Sequence, residues 1–293
     1  MKITKNSTFK GILLVVLIFT QIPFILAQNK PIDPTEITFA SNGDKIHGWF
    51  YKAKGKEPFP TVILLHGYPG GDGDLFKLGQ TLIKEGFNAI TFNYSGTWQS
   101  EGMYLPETSL KNVETAIDFI KSAQSIKSFG TDTSKISIIG YSYGGGMALL
   151  GSLFDRSVQK VISIAGGDLS VVARMIEESP DYRKFHQNYL DECIADPAMS
   201  RGLGGKASHE WLLKNRDDYD LKKHADKLAQ KDILLLGGWF DQAIKIEDHI
   251  LPLFRSLQNH KAANLEIYIF KTDHSFKNVR EDLISKIISW LKM

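Results

Sequence analysis

The sequence predicts an α/β protein: a mostly parallel, eight-stranded sheet with an N-terminal antiparallel hairpin and a helical insertion. Three observations predict it. From Thr61 onward, short aliphatic and β-branched runs alternate with stretches of helical spacing, the rhythm of βαβ units. One such run, Ile136 to Ile139, passes through Gly140-Tyr141-Ser142-Tyr143-Gly144 into the small-residue pattern Gly145 to Leu150, which reads as strand, sharp turn and helix. The rhythm then fails over residues 168–230, which carry helical pieces and no strand pattern.

Taken in order, residues 1–27 have the form of a signal peptide. Lys2, Lys5 and Lys10 precede an apolar run at 11–19, and Gln21, Pro23 and a small-residue exit at Ala27 follow it. The run is short and broken for a spanning helix, so cleaved export to the periplasm or the exterior is the expectation. A retained N-terminal membrane anchor is the alternative. No cysteine follows the segment, which excludes a lipoprotein-type attachment there.

Residues 36–40 and 46–52 alternate as two strands joined by the turn residues Ser41-Asn42-Gly43-Asp44. Residues 61–65 are continuously apolar, as a strand buried on both faces must be. Helical spacing over 75–85 ends at Gly86, and 88–94 is the next strand. A polar loop at 95–105 leads to an amphipathic helix through Leu110, Val113, Ala116, Ile117 and Ile120. The strand before Ser142 begins at Lys135, and 160–165 is another buried strand. Inside the insertion, 171–178, 182–194, 207–214 and 219–230 read as helices. Strands at 232–237 and 265–270, with helices at 245–258 and 276–291, complete the chain. The domain reading is therefore a core of residues 35–167 and 231–293, with 168–230 as a helical cap.

Composition excludes several classes of partner. Net charge is +2, and without Lys2, Lys5 and Lys10 it is −1, so no basic surface invites nucleic acid. Cys193 is the only cysteine, which excludes an intrachain disulfide and a thiolate metal site. The histidines form no H-E-x-x-H cluster, and Gly70-Gly71-Asp72-Gly73 lacks the Lys-Ser/Thr of a P-loop. No cofactor and no metal are expected. The implied partner is a small-molecule ester or a short peptide, with membrane contact only through a retained N-terminal segment.

A serine hydroxyl becomes a useful nucleophile when a base takes its proton and a carboxylate orients that base. Ser142 is the candidate nucleophile. His274, after the last strand, is the candidate base, and Asp241, after the strand at 232–237, the candidate acid. All three fall at the carboxyl edge of a parallel sheet. Asp168, after the preceding strand, and Asp273, beside the histidine, are rivals for the acid. The developing oxyanion needs two donors. The N–H of Tyr143, next after Ser142, is one candidate. Tyr68 is the other, because Pro69 in the loop His66-Gly67-Tyr68-Pro69-Gly70-Gly71 has no N–H. His66 ends a buried strand and is read as bracing that loop rather than as a second base. Trp98, Tyr104, Tyr182, Tyr189 and Trp211 are read as core or cap packing, while Trp239 and Phe240, flanking the acid, divide evenly between packing and an acyl pocket.

Residues 66–71, Gly140-Tyr-Ser-Tyr-Gly-Gly145, Asp241 and His274 together resemble the α/β-hydrolase superfamily. Within it the chain is similar to prolyl-oligopeptidase-like, dienelactone-hydrolase-like and serine-aminopeptidase-like enzymes. The resemblance implies a serine hydrolase acting on an ester or an amide, with an exopeptidase-like activity on short peptides as the alternative and a non-catalytic binding protein as a remote one. The segment Phe92-Asn-Tyr-Ser-Gly-Thr-Trp-Gln-Ser-Glu-Gly102 also resembles the strand-four loop of feruloyl-type esterases. It carries Ser95-Gly96-Thr97 where those commonly have arginine-glycine-histidine, so contacts made by that arginine or histidine do not carry over.

Overall fold

The computed structural model describes residues 33–293. The proposed signal peptide lies outside them.

Eight strands form one sheet: β1 (Thr35–Ser41), β2 (Asp44–Tyr51), β3 (Phe59–Leu65), β4 (Asn88–Phe92), β5 (Thr131–Tyr141), β6 (Val158–Ile164), β7 (Asp232–Gly238) and β8 (Leu265–Phe270). Their order across the sheet is β1-β2-β4-β3-β5-β6-β7-β8. β1 and β2 are an antiparallel hairpin, β2 is antiparallel to β4, and every later pairing is parallel. The hairpin turn places Asn42 (φ 51°) and Gly43 (φ 90°) both at positive φ, the conformation that matches the twist of the flanking strands.

The helices are α1 (Leu78–Leu82), α2 (Pro106–Lys121), α3 (Ala123–Phe129), α4 (Tyr143–Gly151), α5 (Leu169–Glu178), α6 (Pro180–Ile194), α7 (Gly205–Asn215), α8 (Ala225–Leu228), α9 (Leu251–Asn259) and α10 (Arg280–Leu291). The period-2 alternation of the buried strands sends side chains to two separate cores. Ile63, Leu65, Ile138, Val161 and Leu235 pack with Val113, Ile117, Met147 and Leu253 from α2, α4 and α9. On the other face, Val62, Leu64, Ile139, Ile162 and Leu234 pack with Leu78, Leu82, Ile287 and Trp290 from α1 and α10. Strands filled on both faces explain why these runs are continuously apolar.

Between β6 and β7 the chain runs through α5 to α8. Val172, Ala173, Ile176 and Leu212 make a small core of their own, with Tyr182 and Trp211 packed against it. The loop after β4 is tied to this region: Thr97 bridges Ser200, Tyr104 bridges Gly202, and the Tyr104 amide donates to the Arg201 carbonyl at 2.8 Å.

Several helices differ from the expectation. The single helix over 75–85 is broken into 3₁₀ turns at Leu75–Lys77 and Ile83–Glu85 around the five residues of α1. Phe76 and Lys77 take positive φ so that the Asp74 carboxylate can receive the Gly79 and Gln80 amides at 2.6 and 2.9 Å. The helix over 245–258 opens as a π turn at Ile246–Ile250, because Pro252 cannot donate to the turn before it. The piece at 219–230 reduces to a 3₁₀ turn at Arg216–Tyr219 and α8. The helix α3 has no counterpart in the sequence expectation; Ser122 caps its start and Gly130 (φ 61°) ends it. Among the described residues no helix is long and apolar enough to cross a membrane.

Candidate active site

Ser142 stands between β5 and α4 with φ 56° and ψ −121°, a backbone state that costs on the order of 1–3 kcal/mol and needs a surrounding that enforces it. The enforcement is visible. The Ser142 amide donates to the Ile164 carbonyl at 2.8 Å, and its carbonyl accepts from Gly145 at 2.9 Å and Gly167 at 3.0 Å. A Cβ on Gly140 would lie 1.9 Å from the Gly144 carbonyl oxygen, and one on Gly144 would lie 2.4 Å from that of His66. Only glycine fits either place, which is the physical content of the G-x-S-x-G spacing.

His274 and Asp241 arrive from the ends of β8 and β7. His274 Nε2 lies 3.0 Å from Ser142 Oγ, and His274 Nδ1 lies 2.7 Å from Asp241 Oδ2. The Asp241 side chain is 0% exposed, and its other oxygen accepts the Ala243 and Ile244 amides at 2.9 and 2.8 Å. A carboxylate accepts only, so Nδ1 carries the proton and Nε2 is left to accept from the serine hydroxyl. The Tyr141 hydroxyl donates to the His274 carbonyl at 2.9 Å, which pins the loop that carries the imidazole.

The rival acids sit elsewhere. Asp168 caps α5: its Oδ1 accepts the Ser170 amide and hydroxyl at 2.9 and 2.7 Å, and its Oδ2 accepts the Leu221 amide at 3.3 Å. Burial raises its pKa above the usual carboxylate value. Asp273 accepts from the Ser275 amide and hydroxyl, which lower its pKa. His66 is likewise committed: Nε2 contacts the Gly73 carbonyl at 2.8 Å and Thr91 Oγ1 at 3.0 Å, and desolvation lowers its pKa.

The loop that carries Tyr68 touches the serine directly, since a Cβ on Gly67 would lie 3.1 Å from the Ser142 Cβ. Tyr143 opens α4, where the first amides of a helix have no partner in the preceding turn. Among the described residues no protein acceptor engages the Tyr68 or the Tyr143 amide.

A cavity of about 440 Å³ opens over Ser142 and His274, roofed by α5, α6 and α7. That size suits a small organic ligand. Tyr104, Tyr182 and Trp211 pack as the sequence predicts, Tyr104 in the main core and the other two against the insertion's own, and together with Tyr189 they also line this cavity, as do Phe185 and the histidines His186 and His209. A signal for part of this was present. Tyr182, Phe185, His186, Tyr189 and Leu190 follow the i, i+3, i+4, i+7, i+8 spacing of one helix face. Trp239 and Phe240 do not line the cavity; they are 65% and 50% exposed. Their amides extend the sheet edge onto the Phe270 and Thr272 carbonyls.

The sheet defines the class: this chain has the α/β-hydrolase fold, and residues 60–203 match the family model for the alpha/beta hydrolase fold. Among curated proteins, it is 30% identical over 135 residues to the uncharacterized protein YfhR of Salmonella typhi, covering 43% of this chain and 44% of that protein. It is 28% identical over 148 residues to a proline iminopeptidase of Saccharolobus solfataricus, covering 48% of this chain and 46% of that protein. The chain thus spans less than half the length of these relatives. Among solved structures, the Pyrococcus furiosus esterase Pf2001 superposes with a TM-score of 0.67 at 18% identity, covering 89% of this chain and 91% of that one, a likeness of fold.

Proposed function

We propose that this chain is an exported serine hydrolase that cleaves uncharged carboxylic esters through an acyl-enzyme on Ser142. The observation that carries the ester reading is the chemistry of the cavity. Among the described residues that line it there is no Lys, Arg, Asp or Glu. A peptide end brings an ammonium or a carboxylate that such a wall leaves uncompensated; a neutral ester brings neither.

In this mechanism His274 Nε2 takes the hydroxyl proton as Ser142 Oγ attacks the carbonyl carbon. The π electrons move to the carbonyl oxygen, which the Tyr68 and Tyr143 amides receive. The intermediate collapses, the ester C–O bond breaks, and His274 returns its proton to the departing alcohol. A water, deprotonated by His274, then attacks the acyl carbon; the acid leaves and Ser142 regains its proton. Asp241 holds the imidazole in register and stabilises its cationic form, and its complete burial concentrates that charge on one partner. The same reading takes residues 168–230 as a cap, supported by their separate core and by their share of the cavity wall. The basic-then-apolar pattern of residues 1–27 supports export.

An exopeptidase reading is supported by the likeness to proline iminopeptidases. A panel of p-nitrophenyl acyl esters and aminoacyl p-nitroanilides separates the two, run beside labelling by a fluorophosphonate probe. Ester turnover with probe on Ser142 is the expected result. Cleavage of anilides alone overturns the ester reading, and absence of label on folded protein overturns the serine mechanism. Mass spectrometry of the mature N-terminus tests export, with an intact Met1 as the contrary result.

A further inference from the structure

The cavity above Ser142 has a polar patch that the proposed chemistry does not use. His186 on α6 and His209 on α7 both line it, with His186 Nδ1 2.9 Å from His209 Nε2. Their rings lie nearly parallel, 16° apart, and Tyr182 stacks on His186 at 15°. His209 is 5% exposed. Desolvation pushes His186 down to about 4, helped by His209, and lowers His209, with Arg183 adding to the effect and Asp191 opposing it. Both rings are therefore neutral near pH 7.

A neutral imidazole has one N–H and one lone-pair nitrogen. The mutual bond uses one donor from one ring and one acceptor from the other. If His186 Nδ1–H donates, His186 Nε2 remains an acceptor and His209 Nδ1–H a donor. The other tautomer exchanges those roles. Either way the pair offers one donor and one acceptor, on different rings, and among the described residues no protein atom bonds His186 Nε2 or His209 Nδ1. A charged carboxylate or ammonium finds no counter-charge in this neutral pair. The two free nitrogens lie at the outer ends of the hydrogen-bonded pair, so one group bonds one of them, and a hydroxyl, which donates or accepts, does so in either tautomer. Around it the wall is aromatic, with Tyr182, Phe185 and Trp211 offering flat apolar faces.

We infer that the His186–His209 pair is a specificity subsite that receives a neutral hydroxyl on the part of the substrate away from its scissile ester. The inference rests on the ester-hydrolase reading above. It adds that substrates are uncharged hydroxylated esters with an apolar, ring-bearing body. Neither histidine takes part in the bond-breaking steps; both select what reaches Ser142.

The test uses the full chain and three matched p-nitrophenyl esters: 4-phenylbutanoate, its para-hydroxy form and its para-carboxy form. The expected kcat/KM for the hydroxy ester exceeds that for the plain one by roughly fivefold, the size of one neutral hydrogen bond, with the carboxy ester poorest. In His209→Phe the hydroxy-to-plain ratio falls to about one, and His209→Gln, whose amide can again bond His186, regains part of it. A merely structural histidine would lower all three rates together and leave the ratio unchanged. Calorimetric binding of the matching non-hydrolysable methyl ketones to the wild-type chain reads the subsite without variants or turnover. Equal affinity for the hydroxy and plain ketones, or a ratio that survives in His209→Phe, overturns the subsite. Loss of all ester turnover in the wild type, or full turnover in Ser142→Ala, instead overturns the hydrolase reading, and the ketone comparison still decides the subsite.

Discussion

The carboxylate of Asp241 holds His274 Nδ1 at 2.7 Å on one oxygen, while its other oxygen is held by two backbone amides of its own loop. The acid is thus fixed by its backbone before it meets the base. In the proposed mechanism its work is to choose the imidazole tautomer. Asp241→Asn keeps the shape and can keep the contact, but an amide N–H facing Nδ1 forces the proton to Nε2, where it cannot accept from Ser142. The expected result is a loss of about 10⁴ in kcat, the effect the same replacement has in a serine-protease triad, with KM nearly unchanged. Steady-state kinetics on a p-nitrophenyl ester check it, with circular dichroism to confirm the fold.

Ser142 and His274 act as one unit if that mechanism holds. Each of Ser142→Ala and His274→Ala is then expected to remove most of the rate, and the double variant to be scarcely worse than either single one. The relevant measurement is the double-mutant cycle on kcat. Additive losses, multiplying across the two sites, would mean that the residues contribute independently and that the 3.0 Å contact is not a proton path.

Much of this site was legible because it depends on short-range sterics. Gly140 and Gly144 flank Ser142 since any Cβ there meets backbone, and that requirement shows in five consecutive letters. The strands were legible for a similar reason: residues such as Val62 and Ile63 face opposite cores, so an uninterrupted apolar run has only one comfortable environment. What sequence could not decide was competition between local partners. Leu75, Leu78 and Leu82 have helical spacing, yet the Asp74 carboxylate takes the Gly79 and Gln80 amides and moves the start of the helix. Nor could it decide direction. Trp239 and Phe240 neighbour Asp241 in sequence, but their amides bond along the sheet edge and their rings face out, whereas Tyr182 and His186, some sixty residues away, face in.

Gly144 offers a stability test with an internal control. A Cβ there would lie 2.4 Å from the His66 carbonyl oxygen and 2.5 Å from that of Leu65, both backbone atoms that cannot swing aside. Gly73, in the neighbouring loop, has φ 106° but nothing within 4 Å of its Cβ position. Gly144→Ala is expected to cost about 1–3 kcal/mol through overpacking. Gly73→Ala carries only a backbone penalty of about 1 kcal/mol. Thermal melts read both. If the proposed mechanism holds, Gly144→Ala also loses ester turnover out of proportion to its stability, because the His66 carbonyl it displaces belongs to the loop that carries Tyr68.

The buried imidazoles predict how stability follows pH. His186 and His249 are each held down to about 4 by desolvation, against an ordinary value of 6.5. Between those values the unfolded chain binds protons that the folded chain refuses, so these groups make stability rise with pH through that window. Their contribution is fully present above the unfolded value and is lost as pH falls through the folded one. Asp168 and Asp74, raised by burial, act in the opposite sense at the acid end of the same range. A raw pH profile therefore mixes signs, and the informative quantity is a difference between variants. His186→Gln removes one titrating ring, which sits against His209 and contributes on the order of 1–3 kcal/mol between pH 7 and pH 4. The expected outcome is that the fall in Tm on acidification shrinks by roughly 2–6 °C relative to wild type. An unchanged fall would mean that His186 already titrates as an exposed histidine does, and that the α6–α7 roof admits water.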